Sequence, residues 1–431
     1  MTNRKWLILS HGFNMDGRAA SLTITDKIPH LINEGIEPIV LSAVTGKKDL
    51  RFYHRQILPW GPAGLRFDLR HLIAQRYGRG LFYRISTGLA SLLLSPFILL
   101  ERLIIGLQSQ WSWTPAAIFW GYICIKRFNP ELIYSTGGAY SAHWAAFWLK
   151  RISKKPWIAE IHDPMVFPGT VPKTRNLKFW AKLEGMICRE ADLAWWFTDQ
   201  AMLSAKRRHP ELANKGFVIL PGAEPIQSKN SRYEKKEKLR FGHFGSLSES
   251  RSAKELVNSF LKIINDDIIK AEEIEFHFYG GKIDKNAKKI ILENNLEKYF
   301  KEHGRVEENP ESGKTGRQKI NEIMSTMDCL ILLHGNTEDC SEYIPSKIYD
   351  YLWSKRPILG LTHKNTQLNK LIIKYSGFIA ESTDTYAIIK KINEIYDKWN
   401  TNSLMETKTR PIDTKQAVNK ILLMINQTIQ Y

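Results

Sequence analysis

The stretch SEYIPSKIYDYL, residues 341–352, follows an apolar run at 328–334 that predicts a buried strand. Pro345 and Ser346 precede an apolar-periodic run and predict a helix start. A helix that follows a strand and a loop presents free backbone N–H groups, which favour anions. Glu342 and Asp350 could then reach one phosphate-bearing ligand, or they are a capping acid and a solvated side chain. The stretch alone is compatible with both interpretations.

Size and composition narrow the class of protein. A chain of 431 residues with 43% hydrophobic residues is long enough for two globular domains. A net charge of +18 predicts an anionic partner: membrane lipid, a phosphorylated substrate or nucleic acid. Nucleic acid ranks lowest because no nucleic-acid-binding motif occurs. Four widely spaced cysteines without a CxxC pair, and a first apolar run too short for a signal peptide, predict a cytoplasmic protein without a zinc site.

Strand, glycine loop and helix patterns alternate along most of the chain. This order predicts an α/β fold with two doubly wound, Rossmann-like domains. The expected domains are residues 1–222 and 239–412, joined by a polar, lysine-rich linker at 223–238 and followed by a helix at 413–431. A cleft is expected between the two domains.

The segment 51–107 departs from this alternation. Residues 51–84 hold seven arginines against one acid, Asp68, with aromatic residues between them. An apolar run at 85–100 follows, contains Pro96, and is shorter than the ~20 residues that span a bilayer. We expect this segment to contact anionic lipid peripherally, at the inner face of the cytoplasmic membrane. The alternative is a buried helix at 85–107 beside a solvated arginine face.

Several strands are predicted to end in residues that suit a ligand site. Gly17 lies in the loop after the first strand, and Gly138 in the loop at 136–141. His162 and Asp163 end another strand, where Pro164 prevents a helix from following directly. Ligands bind at the carboxyl ends of strands in open α/β sheets. His162 is therefore either a candidate site residue or a residue that orients the loop through Asp163.

The segments 245–251 and 342–350 resemble those of retaining glycosyltransferases with the GT-B fold, of the family-4 type. The resemblance includes the subfamily form in which Pro-Ser-Lys, residues 345–347, precedes a Tyr-acid-Tyr-Leu helix, and it covers nearly the whole chain. The chain departs from the family at Asp350, where glutamate is usual, and at Ser246, where several members have a basic residue.

The resemblance implies a role for each matching residue. The implied catalytic residues are Glu342, His162 and Arg251. The implied donor-binding residues are Gly17, Gly245, Arg251, Gly281, Arg305, Val306, Ser346, Lys347 and Asp350. The implied acceptor-side residues are His162, Asp163 and Gly138. No cofactor and no metal are expected, since the chain has no Asp-x-Asp triplet.

The expected function is that of an enzyme, a glycosyltransferase. It would move a sugar with retention from a nucleoside diphosphate sugar, with UDP as the expected nucleotide, to a lipid-linked saccharide in cell-surface polysaccharide synthesis. Its expected partners are the nucleotide sugar, the saccharide acceptor and an anionic membrane surface, without nucleic acid. A nucleotide-sugar 2-epimerase and an inactive GT-B scaffold at the membrane are the alternatives.

Overall fold

The computed structural model describes residues 4–15, 18–226, 233–306, 313–404 and 406–429. These residues form two compact units, Met1–Pro221 with Thr414–Tyr431, and Gly222–Asp413. The C-terminal segment therefore belongs to the first unit, although the second unit separates it from the rest in sequence.

The first unit is built on a seven-stranded parallel sheet in the order β3-β2-β1-β4-β5-β6-β7. The strand order reverses between β1 and β4, and the carboxyl ends of these two strands are therefore a candidate ligand site. Its strands are β1 (Arg4–Leu9), β2 (Ile36–Ser42), β3 (Tyr53–Gln56), β4 (Leu132–Gly137), β5 (Trp157–Ile161), β6 (Leu193–Trp196) and β7 (Gly216–Val218). Its first eight helices are α1 (Ala19–Thr25), α2 (Lys27–Asn33), α3 (Pro62–Tyr77), α4 (Leu81–Ile104), α5 (Trp113–Phe128), α6 (Tyr140–Ser153), α7 (Arg175–Glu190) and α8 (Asp199–Arg208).

The second unit has a six-stranded parallel sheet in the order β10-β9-β8-β11-β12-β13. Its strands are β8 (Leu239–Gly245), β9 (Ile274–Gly280), β10 (Phe300–Gly304), β11 (Cys329–Leu333), β12 (Ile358–Thr362) and β13 (Phe378–Glu381). Its helices are α9 (Lys254–Asp266), α10 (Ile268–Glu272), α11 (Lys285–Glu293), α12 (Gly316–Thr326), α13 (Lys347–Trp353), α14 (Thr366–Lys374) and α15 (Thr385–Asn400). The last helix, α16 (Thr414–Thr428), buries Ile421 and Ile425 in the core of the first unit. The predicted α/β class with two doubly wound domains is confirmed.

Helix α4 is longer than the apolar run that predicted it, because the structure continues the helix through Pro96. Proline lacks the N–H that would bond to the carbonyl of Leu92. The hydroxyl of Ser95 donates to that carbonyl instead, at 2.8 Å. Ser86, Thr87 and Ser91 likewise donate to carbonyls within α4. The serine and threonine hydroxyls of this helix are thus satisfied by its own backbone.

The exposure of α4 contradicts the alternative of a buried helix at 85–107. Only 11% of its most apolar window is buried, and by length and composition α4 is sufficient to cross a membrane. Its 24 residues correspond to about 36 Å, more than the length inferred from the 16-residue apolar run. The large exposed side chains of α4 are Leu81, Phe82, Ile85, Leu89, Leu92, Leu93, Phe97, Leu99, Leu100, Leu103 and Ile104.

Asp68, the one acid of the arginine-rich segment, is buried in α3. Burial raises the pKa of Asp68 to about 7, although a hydrogen bond from the Val44 backbone opposes the shift. An unfolded aspartate has a pKa of about 3.9. The folded state therefore holds a proton that the unfolded state has lost, and the free energy of unfolding falls as pH rises from about 4 to about 7.

Asp68→Asn is expected to remove this slope, because asparagine keeps an acceptor for Val44 and never ionises. Above pH 7 the free energy of unfolding of this variant should exceed that of the wild type by up to about 4 kcal/mol, at 1.36 kcal/mol per pKa unit. Denaturant unfolding at pH 5 and pH 8 measures it, with Asp163→Asn as the exposed control. An unchanged slope in Asp68→Asn would show that Asp68 is ionised in the folded state.

Candidate functional site

Glycines end β8 and β9, two neighbouring strands of the second unit. Gly245 has φ +129° and Gly280 has φ +119°, values that L side chains rarely adopt. A Cβ atom on Gly280 would lie 2.7 Å from the carbonyl oxygen of Gly245. Gly281 donates its N–H to the same oxygen at 3.2 Å, and its own Cβ would lie 3.2 Å from the Cα of Ser246. The ends of β8 and β9 therefore require glycine.

Lys347 fills the space above Gly245. A Cβ atom on Gly245 would lie 2.8 Å from the Nζ of Lys347, the first residue of α13. Burial, and secondarily the charge of Arg251, lowers the pKa of Lys347 to about 7. Arg251 follows the same glycine loop, and its backbone exchanges hydrogen bonds with Ser248. Two cations are thus brought to the end of one strand.

The positive charge of this site belongs to Arg251 and Lys347. Burial, followed by the charge of Lys347, lowers the pKa of His243 well below its usual value. Burial lowers the pKa of His334 to about 4, and Arg251 and Lys347 contribute in the same direction. Both imidazoles are therefore neutral at pH 7. Within the described ranges, neither Arg251 nor Lys347 forms an ion pair with a carboxylate, so the cation pair is suited to an anionic ligand.

Glu342 is 3% exposed and lies in a loop with well-defined anchors. A 3₁₀ turn, Glu338–Ser341, leads into it from β11. The Nε2 of His334 donates to the carbonyl of Tyr343 at 3.0 Å, and the Nδ2 of Asn365 donates to the carbonyls of Cys340 and Tyr343 at 2.6 and 2.8 Å. The roles of His334 and Asn365 as supports were missed from the sequence, since a single histidine or asparagine carries no spacing signal.

Asp350 has a partner that the sequence did not predict. The Nη2 of Arg317, on α12, lies 2.9 Å from its Oδ1. No motif connects two residues 33 positions apart, so this pair could not be found from spacing. The hydroxyl of Tyr351 accepts from the Phe244 backbone at 2.9 Å and donates to the carbonyl of Ile331 at 3.3 Å, which fixes α13 against β8 and β11. The assignment of Asp350 to donor binding stays a prediction.

The predicted helix start at Ser346 is confirmed as the N-cap position of α13. Its side chain makes no capping hydrogen bond, and α13 has only seven residues. A capping side chain at Ser346 therefore does not compete with an anion for the N–H groups of this helix start.

Arg305 and Val306 directly follow β10. Three aromatic rings cross the neighbouring strands there: Phe244 stacks on Tyr279 at 4.9 Å, and Tyr279 stacks on His303 at 4.3 Å. This row of rings was not predicted, because each ring belongs to a different strand. It leads from the cation pair toward Arg305 and Val306, which are predicted to bind the donor.

In the first unit, Gly138, His162 and Asp163 come together at the carboxyl ends of β4 and β5. A Cβ atom on Gly138 would lie 4.0 Å from the Oδ2 of Asp163. The Nε2 of His162 lies 2.9 Å from the Oε1 of Glu160, and the ring stacks on Phe197 at 4.9 Å. Glu160 is therefore a partner of His162 that the sequence interpretation missed. Gly17 lies outside the described residues.

In the described part of the chain, no group of three or more His, Cys, Asp or Glu side chains is placed to hold a metal ion. The expectation of a metal-free site stays a prediction.

Solved structures share this fold at low sequence identity. TarM, which is also known from S. aureus in complex with UDP and α-GlcNAc-glycerol, superposes with a TM-score of 0.64 at 12% identity, over 99% of this chain and 99% of TarM. WaaG, a glycosyltransferase involved in lipopolysaccharide biosynthesis, superposes at 0.56 and 11% identity, over 97% and 98% of the two chains. A putative UDP-N-acetylglucosamine 2-epimerase from Listeria monocytogenes gives 0.54 and 11%, over 98% and 96%.

No protein-family model matches the chain, and no curated protein sequence matches it. The likeness thus concerns three-dimensional structure over nearly the full length. The predicted GT-B fold is confirmed; the family-4 type stays a prediction. The chain has the α/β, two-domain fold of the GT-B glycosyltransferases.

Proposed function

We propose that this protein is a glycosyltransferase that uses a nucleoside diphosphate sugar, with UDP as the nucleotide. The observation that carries the proposal is the cation pair of Arg251 and Lys347 above the glycine end of β8. A diphosphate leaving group gains negative charge when its bond to the sugar breaks, and preorganised cations stabilise that charge. The arginine fork additionally fits two phosphate oxygens at once.

Glu342 is the proposed catalytic carboxylate, which accepts a hydrogen bond from a hydroxyl of the donor sugar. Hydrogen bonds from His334 and Asn365 hold the backbone on both sides of Glu342, and such preorganisation favours catalysis. Asp350 is proposed to accept from ribose, with Arg317 fixing its carboxylate. In the transfer, the bond from the anomeric carbon to the diphosphate breaks, a bond to the acceptor oxygen forms with retention, and the proton of the acceptor hydroxyl passes to His162, proposed as the base on the acceptor side.

The acceptor is proposed to be a lipid-linked saccharide of cell-surface polysaccharide synthesis, bound by the first unit. The exposed apolar helix α4 supports this proposal, since it follows an arginine-rich segment that suits anionic headgroups. The protein would then work at the inner face of the cytoplasmic membrane as a peripheral enzyme. His162, Asp163 and Gly138 are the proposed acceptor-side residues.

Transfer from UDP-, GDP- and TDP-sugars tests the proposal. Glu342→Gln and Arg251→Ala are each expected to lower kcat by about 100- to 1000-fold, the typical effect of losing one stabilising group in a transition state. Arg240→Ala is the matched control, since Arg240 also belongs to the second unit but pairs with Asp328. Full activity in both site variants would place the chemistry elsewhere.

A nucleotide-sugar 2-epimerase is the second candidate, favoured only by the fold shared with the putative epimerase. The two activities differ in whether they need an acceptor. An epimerase converts UDP-N-acetylglucosamine without an acceptor, whereas a glycosyltransferase needs one and releases UDP when the sugar is transferred. Product analysis with and without an acceptor lipid fraction therefore separates them.

A further inference from the structure

We propose that Glu160, paired with Lys27, holds the ring of His162 with its proton on Nε2, so that Nδ1 presents a lone pair to a hydroxyl group of a saccharide. The identity of the ligand as a saccharide rests on the proposed function. The position of the proton does not, because it follows from contacts within the first unit.

The carboxylate of Glu160 is surrounded by donors inside the protein. The Nζ of Lys27 lies 2.7 Å from its Oε1 and 2.8 Å from its Oε2, and both side chains are at most 1% exposed. The hydroxyl of Tyr134 donates to Oε2. The Nε2 of His162 lies 2.9 Å from Oε1. The two contacts with the Nζ of Lys27 fix the carboxylate in one orientation.

The charge of Glu160 determines which nitrogen of His162 carries the proton. Burial raises the pKa of Glu160, but the charge of Lys27 and the contact with His162 outweigh burial and lower it to about 2. An ionised carboxylate only accepts hydrogen bonds. The Nε2 atom must therefore be an N–H donor, and the neutral ring then has its lone pair on Nδ1.

Strand geometry brings these groups to one face of the sheet. Glu160 and His162 are two residues apart at the end of β5, and Thr136 pairs with Glu160 from β4. The hydroxyl of Thr136 lies 3.2 Å from the same Nε2 atom. In the part of the chain that the structure describes, both polar contacts of the ring involve Nε2. Nδ1 is thus left for a ligand.

The other titratable neighbours do not compete for this role. Burial, followed by the nearby His162, lowers the pKa of His143 on α6 to about 4, so His143 is neutral at pH 7. Asp163 is exposed and next in sequence. A buried ion pair adds little to stability, because desolvation of both charges offsets their attraction. The Lys27–Glu160 pair is therefore better explained by its role in positioning His162 than by a contribution to the free energy of unfolding.

The test is the nitrogen NMR spectrum of the full chain labelled with ¹⁵N-histidine, in which His162→Gln assigns the signals of His162. The shifts distinguish a protonated from an unprotonated ring nitrogen. We expect a protonated Nε2 and an unprotonated Nδ1 at pH 8. A signal of the opposite tautomer, or of both in similar amounts, would overturn the proposal.

The variant Lys27→Met/Glu160→Leu removes the ion pair without leaving a buried charge, a replacement that folded proteins often tolerate. It is expected to mix the two neutral tautomers in comparable amounts. Tyr134→Phe, which keeps the carboxylate and the lysine, is the control and should retain the wild-type tautomer. A single Nε2–H tautomer in the double variant would show that Glu160 does not set the proton.

Release of UDP from UDP-glucose and UDP-N-acetylglucosamine, with an acceptor lipid fraction, tests whether the Nδ1 lone pair of His162 contacts a saccharide hydroxyl. Because about half of its rings then lack a lone pair on Nδ1, the double variant should lose roughly twofold in kcat with little change in KM for the donor, whereas Tyr134→Phe stays near wild type. Mixed tautomers with unchanged kcat would overturn the contact with the saccharide. No transfer by the wild type would refute the proposed function and the saccharide with it, while the NMR result would still decide the role of Glu160.

Discussion

The double variant Arg251→Ala/Lys347→Ala is expected to lose measurable UDP binding. These cations are the two positive charges at the glycine end of β8, since His243 and His334 are neutral at pH 7. A charged hydrogen bond whose partner is left unpaired costs about 2 kcal/mol or more, so each substitution should weaken Kd by roughly 30-fold. Isothermal titration calorimetry with UDP measures both single variants and the double variant.

Lys347 should also make the binding of UDP depend on pH. Because its pKa is lowered to about 7, the free protein loses this charge as pH rises from 7 to 9. When UDP binds, Lys347 takes up a proton and regains its charge. The affinity of the protein for UDP should therefore fall up to about tenfold per pH unit above 7. Lys347→Arg keeps a cation at all these pH values and should bind UDP with little pH dependence.

The control for this pair is Lys364→Ala, which removes a cation of the same unit that pairs with Glu338. It should leave the affinity for UDP unchanged. Calorimetry in buffers of different ionisation enthalpy counts the proton taken up. Wild-type affinity that is flat from pH 7 to 9, with no proton uptake, would show that Lys347 is charged in the free protein.

The sequence predicted the parts of the fold that local patterns encode. Buried parallel strands are nearly continuous apolar runs, and this made β11 and its neighbours recognisable. The helix start at Ser346 was likewise predicted, and Ser346 is the N-cap residue of α13. The short strand β3 was missed because its residues, Tyr53–Gln56, are polar and lie within an arginine-rich segment. Edge strands have one neighbour, so their composition is less constrained.

The sequence also predicted the chemical groups of the candidate site but not their partners. Motif order indicated Arg251, Lys347 and Glu342. The pairing of Arg317 with Asp350 and of Glu160 with His162 depends on how helices and strands meet in space. Long-range partners of this kind have no spacing rule, whereas residues at the ends of strands do. The hydrogen-bond and ion-pair partners of the site residues could therefore be identified only from the structure.

Helix α4 is expected to control membrane binding. The variant Leu92→Gln/Leu93→Gln/Phe97→Gln/Leu100→Gln replaces four side chains that are each more than half exposed. Burial of one such side chain in lipid contributes about 1.5 kcal/mol or more, so the variant should lose roughly 6 kcal/mol of partition free energy. In flotation with anionic liposomes, wild-type protein should float and the variant should stay at the bottom of the gradient.

The matched control replaces exposed apolar side chains outside this segment, as Ile269→Gln/Leu292→Gln/Ile373→Gln, and should float like the wild type. A separate variant, Arg70→Gln/Arg76→Gln/Arg79→Gln/Arg84→Gln, tests the charge. Each arginine near an anionic surface contributes about 1 kcal/mol, so this variant should bind more weakly and lose the salt dependence of the wild type. If the α4 variant floats normally, or if wild-type protein stays at the bottom, the exposed helix does not contact lipid. In that case, a wild-type dimer in gel filtration that becomes a monomer in the α4 variant would assign α4 to contact with a second copy of the chain.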